Sequence, residues 1–161
     1  MKKKVLWLGI LLVLLLWPTS SVFADGPGIH FDGGQIFIEE DVSLERGETF
    51  DGDLGVFEGD LSVPEGSVVD GDVFVADGDA DISGNVTGDV AVLGGDLYLT
   101  ESSRVEGEVF VMGGDLECAG YVDGNLSVMF GDGELRDSAV VDGDVMIMGG
   151  SMERDAGAKI M

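Results

Sequence analysis

Aspartates recur at a fixed place in a repeated pattern, and carboxylates at such a spacing could bind a divalent cation. Six of them stand at equivalent places in successive units of the repeat: Asp41, Asp60, Asp79, Asp96, Asp115 and Asp132. If they stack about 5 Å apart, neighbouring unit charges repel by roughly 0.8 kcal/mol in water. Calcium prefers oxygen ligands and would relieve that repulsion. The column is therefore a candidate calcium site, and we predict no other cofactor.

A second interpretation of the same aspartates is structural. Five of the six follow a glycine, and an aspartate in that place caps backbone N–H groups of its own turn and tolerates the geometry of a corner. The nonapeptide repeat of calcium-binding β-helices is absent from the sequence, which favours the structural interpretation.

Paired carboxylates can also hydrolyse glycosidic bonds. A catalytic site should appear as a local break in the repeat, and the breaks are scattered along the chain: His30, Pro64, Cys118, Gly133 and Arg154. His30 is the only histidine, so sites built from several histidines are excluded. The sequence therefore predicts that the protein is not an enzyme. Cys118 lies at an apolar position of the repeat and is expected to behave as a small buried hydrophobe.

The elements that position these residues follow from the repeat. The first-turn glycines mark seven units, each of about 17–19 residues: Gly33, Gly52, Gly71, Gly88, Gly107, Gly124 and Gly143. Apolar residues alternate between turns, as in strands, and a second turn always falls at the same distance after the marker. Three short strands per unit predict an all-β fold, a single-stranded, three-sided parallel β-helix of about seven coils. We expect the corner glycines to supply positive φ, and the length changes to fall on the second and third sides.

On the first side of each unit, apolar residues also occupy positions that alternate with the core. We predict an assembly face there, formed by Phe57, Phe74, Leu93, Phe110, Met112, Met129, Met146 and Met148. An apolar stripe exposed to water would mark an association surface for another rod, a missing segment or a membrane. Alternatively, the residues five positions after each marker turn inward at the corner and thicken the core.

The N-terminal segment 1–24 differs from the rest. Lys2 to Lys4 precede the apolar run Val5 to Trp17, and Val22-Phe23-Ala24 resembles a signal-peptidase site, which predicts a signal peptide over residues 1–24. An uncleaved membrane anchor is the alternative. Residues 25–161 are predicted to form one repeat domain, with residues 25–30 as an irregular lead-in. The protein is then exported, to the cell envelope or surface, and its single cysteine excludes an intrachain disulfide.

The charge balance restricts the partners. The chain has 8 basic and 32 acidic residues and a net charge of −24. Removing Lys2 to Lys4 would leave 5 basic residues against 32 acidic ones, a net charge of −27. Such a surface repels nucleic acid and anionic lipid headgroups, so we predict no nucleic-acid partner. It can attract divalent cations or basic partners.

The repeated Gly-Asp-Val pattern, clearest at Asp51 to Gly71 and Thr87 to Gly107, resembles the bactofilin or polymer-forming cytoskeletal family, specifically its exported relatives with signal peptides. The resemblance implies a right-handed β-helix that polymerises end to end into nonpolar filaments and acts as a scaffold. Bactofilins proper are cytosolic, and the signal peptide departs from them.

The predicted function is therefore structural: self-assembly, end to end and also laterally, into a filament or envelope scaffold that could contact membrane or envelope components. Ile160 is the last core residue of the seventh unit, so we expect either a truncated sequence or a coil end that templates stacking. The alternatives are an adhesin-like rod that recognises glycan or protein and, less favoured, an enzyme acting on polysaccharide.

Overall fold

Three parallel sheets form the three faces of a β-helix in the computed structural model, which describes residues 23–24, 28–31 and 33–161. The predicted signal peptide falls on residues outside this range, apart from Phe23 and Ala24. Every strand of a coil pairs with its equivalent in the next coil, in the register that the repeat predicts. The predicted all-β, three-sided parallel β-helix of about seven coils is confirmed.

The first face is a nine-stranded sheet, in the order β1(Phe23–Ala24), β2(Gly28–Phe31), β3(Gly34–Ile38), β6(Asp53–Phe57), β9(Val73–Ala76), β12(Val90–Leu93), β15(Val109–Met112), β18(Leu126–Met129) and β21(Val145–Met148). The second face has seven strands: β4(Val42–Ser43), β7(Leu61–Val63), β10(Ala80–Ile82), β13(Leu97–Leu99), β16(Leu116–Cys118), β19(Gly133–Leu135) and β22(Met152–Arg154). The third also has seven: β5(Thr49–Asp51), β8(Val68–Asp70), β11(Asn85–Val86), β14(Arg104–Val105), β17(Tyr121–Val122), β20(Val140–Val141) and β23(Lys159–Ile160).

One continuous core runs along the inside of the three faces. Its members are mainly valine and leucine, and those of the central coils are almost completely buried. A coil cannot bury these side chains alone, so stacking supplies the stability. Gly133 interrupts the core pattern, and Ile147 of the next coil takes up the space, since a Cβ at Gly133 would lie 2.5 Å from its Cδ1 atom.

The glycines of the second corner have a different role from the one predicted. The positive φ lies one residue earlier, at Glu39, Glu58, Asp77, Gly94, Gly113, Phe130 and Gly149. The following glycine is needed for close approach instead: a Cβ at Gly95 would overlap the carbonyl oxygen of Gly78 in the preceding coil. The expectation that all corner glycines supply positive φ is therefore wrong at this corner, and among the seven marker glycines φ is positive only at Gly33 and Gly52.

The length variation is concentrated at the third corner, between the second and third faces. In the shorter coils two residues join the strands, such as Ser83 and Gly84, whereas in most of the longer coils four do, such as 64–67 and 100–103. The longer turn closes on itself, since the N–H and the hydroxyl of Ser103 both donate to the Thr100 carbonyl. Both turns leave the strand pairing unchanged.

The lead-in to the first coil is partly regular, which corrects the expectation of an irregular segment. Strand β2 pairs antiparallel with β3, and β1 pairs antiparallel with β2. These strands extend the first face beyond the first coil, while the second and third faces begin at β4 and β5. Within the described residues there is no helix long and apolar enough to cross a membrane.

Candidate functional site

The six predicted aspartates form a column along the edge between the first and second faces. Each Oδ1 atom accepts the backbone N–H of the residue one coil further on, at 2.6 to 3.0 Å, from Asp41 to Ser151. The carboxylates therefore cap the next coil, and not the turn in which they lie. The hydrogen bond to the next coil is sufficient to explain an acid in each coil, and no bound metal is required.

A second column, which the sequence reasoning missed, follows the other edge of the first face. Its members come directly after the marker glycine of each coil: Asp53, Asp72, Asp89, Glu108, Asn125 and Asp144. Most of them cap the next coil in the same way, at 2.8 to 3.0 Å, although Glu108 accepts from the side chain of Asn125. An acid after the marker in most units was the available signal.

Electrostatics in the first column are consistent with this capping. The N–H and hydroxyl of Ser151 donate to Asp132 and lower the pKa of its carboxyl group. The second oxygen of Asp96 is also engaged, since it accepts the Tyr98 hydroxyl at 3.4 Å. Across the described residues, no group of three or more potential metal ligands converges, and calcium binding along this column remains the untested alternative to capping.

The predicted assembly face lies where the pattern placed it, between the two acidic columns. Met112, Met146 and Met148 are exposed, and the remaining five predicted residues are half-buried. None of the residues five positions after a marker is buried, so they do not thicken the core. Phe57 and Phe74 pack against each other, with ring centroids 5.3 Å apart.

The outward positions of this face also carry no charged residue. Each of the seven coils contributes two outward positions, and no charged residue occupies any of them: Ile36, Ile38, Gly55, Phe57, Phe74, Ala76, Ala91, Leu93, Phe110, Met112, Ser127, Met129, Met146 and Met148. On a chain with a net charge of −24, an uncharged strip that runs through every coil separates this face from the rest of the surface.

A family comparison agrees with the repeat and the capped coils. Residues 61–160 match the model of the bactofilin family, described as polymer-forming cytoskeletal proteins. The chain belongs to the bactofilin family. No curated protein and no solved structure matches it. Members of this family are structural and form polymers, so the resemblance seen in the sequence is confirmed.

The second face of this bactofilin is acidic. A shallow hollow of about 270 Å³ lies over β13, β16, β19 and β22 and is lined mainly by carboxylates around Tyr98. Asp96 is the main reason that the pKa of Tyr98 is raised. Arg136 forms ion pairs with Glu117 and Glu134.

Cys118 points into the core of the bactofilin repeat. Its side chain is fully buried, and burial raises the pKa of its thiol to about 11. A thiol with that pKa is almost entirely protonated near neutral pH, which makes it a poor nucleophile. This agrees with the small-hydrophobe interpretation.

Proposed function

We propose that this bactofilin is an exported structural protein whose copies stack end to end, coil on coil, into a filament associated with the cell envelope. The observation that carries the proposal is the constant strand register. Each coil pairs with the next through equivalent positions on all three faces. On the second and third faces the upper edge of the seventh coil is therefore complementary to the lower edge formed by β4 and β5 in a second copy, whereas on the first face β2 and β1 cover the first coil.

The outermost coils support stacking. Val145, Ile147 and Ile160 of the seventh coil pack against the core but stay partly exposed, whereas Leu126, Val128 and Val141 are 1%, 0% and 0% exposed one coil earlier. Apolar surface at such an edge favours association, because a stacked coil from another copy would remove it from water.

Electron microscopy of negatively stained protein over a range of concentrations tests the proposal. We expect filaments whose number increases with concentration. Val145→Asp places a charge at the outer coil and should abolish filaments while circular dichroism stays β-rich. Glu153→Gln is the matched control, since it changes an exposed side chain of the same coil and should leave filaments intact. A rod that stays monomeric at high concentration would contradict the proposal and favour the adhesin-like alternative.

Export and location rest on the N-terminal segment 1–24. Expression in bacteria followed by cell fractionation tests this part separately. We expect a product outside the cytoplasm whose mass spectrum shows that the segment from Met1 to Ala24 has been removed. A full-length product in the cytoplasmic fraction would contradict export.

Lateral pairing through the uncharged face is a second candidate mode of assembly. Phe74→Ser and Phe110→Ser should then abolish association without unfolding the protein. The acidic columns oppose this mode, since two rods placed face to face bring carboxylates against carboxylates on both sides. Filaments that persist unchanged in both variants would leave end-to-end stacking as the mode of assembly.

A further inference from the structure

Phe130 is the bulky apolar exception at its corner position, where the other six coils carry glutamate, aspartate or glycine. Its φ is +59°, in the left-handed region that bulky residues rarely adopt. Glycine occupies the equivalent place in the preceding and following coils, at Gly113 and Gly149. The side chain gains little from burial, as it is 66% exposed. The corner does not need an aromatic residue here, and a strained exposed side chain of this kind points to a contact made with another molecule.

Methionines lie beside Phe130 in the sheet: Met129 precedes it, and the Phe130 N–H donates to the Met148 carbonyl. Met112, Met129 and Met148 are adjacent across three neighbouring strands, and Met146 lies on the same face. Met112, Met146 and Met148 are 38%, 53% and 49% exposed. We call these five residues the Met–Phe patch. Methionine is unbranched and polarisable, and surfaces rich in it adapt to apolar helices.

The charges around the patch select the partner. Carboxylates border it on both sides, including Asp115 and Asp132 on one edge and Asp144 on the other. The basic residues of the described chain lie elsewhere, at the third corner or on the second and third faces, and Arg104 and Arg136 are paired with acids there. A second copy or an anionic membrane would place like charges together, whereas a partner with basic flanks would be attracted.

We propose that the Met–Phe patch docks an amphipathic helix of another protein, with its apolar stripe on the methionines and Lys or Arg on both flanks. The spacing fits, because successive coils are about 4.8 Å apart and successive turns of a helix about 5.4 Å apart. Three turns of helix can therefore follow coils five to seven with a cumulative mismatch of about 1 Å.

A fluorescein-labelled peptide of about five helical turns, with leucines on one helical face and lysines on its flanks, is the probe. Fluorescence anisotropy measures its binding to the purified protein, to Phe130→Gly and to Met112→Gln/Met148→Gln. Phe130→Gly restores the residue found in the neighbouring coils, so it should fold at least as stably as the parent. Tyr98→Ser is the control, because Tyr98 is 41% exposed on the second face.

We expect Phe130→Gly to weaken binding at least tenfold, the double methionine variant to weaken it further, and Tyr98→Ser to leave it unchanged. A scrambled peptide of the same charge, without an apolar stripe, and a peptide with glutamate in place of lysine should both bind at least tenfold more weakly. Equal binding of the scrambled peptide would overturn the proposal, since charge alone would then suffice. Equal binding to Phe130→Gly would also overturn it.

Two further measurements test other occupants of the patch. Self-association in analytical ultracentrifugation that Phe130→Gly abolishes would assign the patch to a second copy and overturn the proposal. Flotation with phosphatidylcholine vesicles that depends on Phe130 would assign it to lipid and overturn it as well. Filaments should persist in Phe130→Gly, so failure of helix docking is distinguishable from failure of end-to-end assembly.

Discussion

The first and second faces of the rod share one core but present different surfaces. In the central coils both point mainly valine or leucine inward, and these residues are buried alike, whereas Met152 and Arg154 at the inward positions of β22 are exposed. Outward, the second face carries Asp81, Tyr98, Glu117, Glu134 and Glu153 at the middle position of its strands, whereas the two outward positions of the first face are uncharged in every coil. Because folding requires only the inward rows, the outward rows are free to differ. Folding alone therefore does not explain why the outward row of the first face is uncharged.

The largest losses of stability should come from substitutions in the shared core. They should be about equal on the two faces. Leu126 on the first face and Leu97 on the second are 1% and 0% exposed. Leu126→Ala and Leu97→Ala should each lower the free energy of unfolding by about 3 kcal/mol, since each leaves a cavity. Urea unfolding measures this. A cost on one face only would mean that the core is not continuous.

The corner that joins the two faces should be the next most sensitive. The methyl group of Gly95→Ala would collide with the Gly78 carbonyl, and we expect a loss of roughly 2 kcal/mol. Gly66→Ala is the control, because a Cβ there meets only the Gly47 nitrogen, at 3.9 Å. Its left-handed backbone alone should cost about 1 kcal/mol. Urea unfolding measures both variants. A larger loss in Gly66→Ala than in Gly95→Ala would show that backbone strain outweighs the steric collision.

At the acidic edge between the faces, removing a hydrogen bond should lower the thermal stability more than removing a charge. Asp79→Ala removes the acceptor for the Asp96 N–H and should cost about 1 kcal/mol in thermal unfolding. Asp79→Asn keeps an acceptor oxygen, as Asn125 does in the other column, and should cost less. We expect the same melting temperature in excess calcium and in chelator. A rise in calcium that Asp79→Asn abolishes would instead establish the calcium site.

The smallest effect should be one of pH on the same edge. The Ser151 N–H lowers the pKa of Asp132 in the folded state. Its stabilising contribution is therefore complete above the unfolded value of about 4 and is lost as the pH falls through the lower folded value. The stability of the parent relative to Asp132→Asn should decrease below about pH 4. Unfolding curves at several pH values measure it, and a constant difference would contradict the coupling.

The sequence predicted the part of the molecule that repeats. Alternation of apolar residues fixed which side chains face the core, and the marker glycines fixed the strand pairing, because both depend on local chemistry repeated in every coil. The roles of Gly95 and Asp79 depend on atoms of an adjacent coil. The sequence could place these residues at a corner but could not identify the carbonyl that Gly95 approaches or the N–H that Asp79 accepts.

Phe130 shows the same limit for the candidate site. It lies just outside the predicted face, one residue after Met129, and only its backbone conformation and exposure distinguish it. The eight predicted face residues were found because they recur, whereas a residue present in one coil gives no periodic signal.

The two lengths of the third corner have a consequence for how such rods diversify. Since two or four residues fit there without disturbing any strand, longer insertions should be accommodated at the same place. The corner 100–103 is therefore a practical position for an epitope tag or fluorescent label, and a natural point at which gene duplication and loop grafting could add new modules while the scaffold is inherited unchanged.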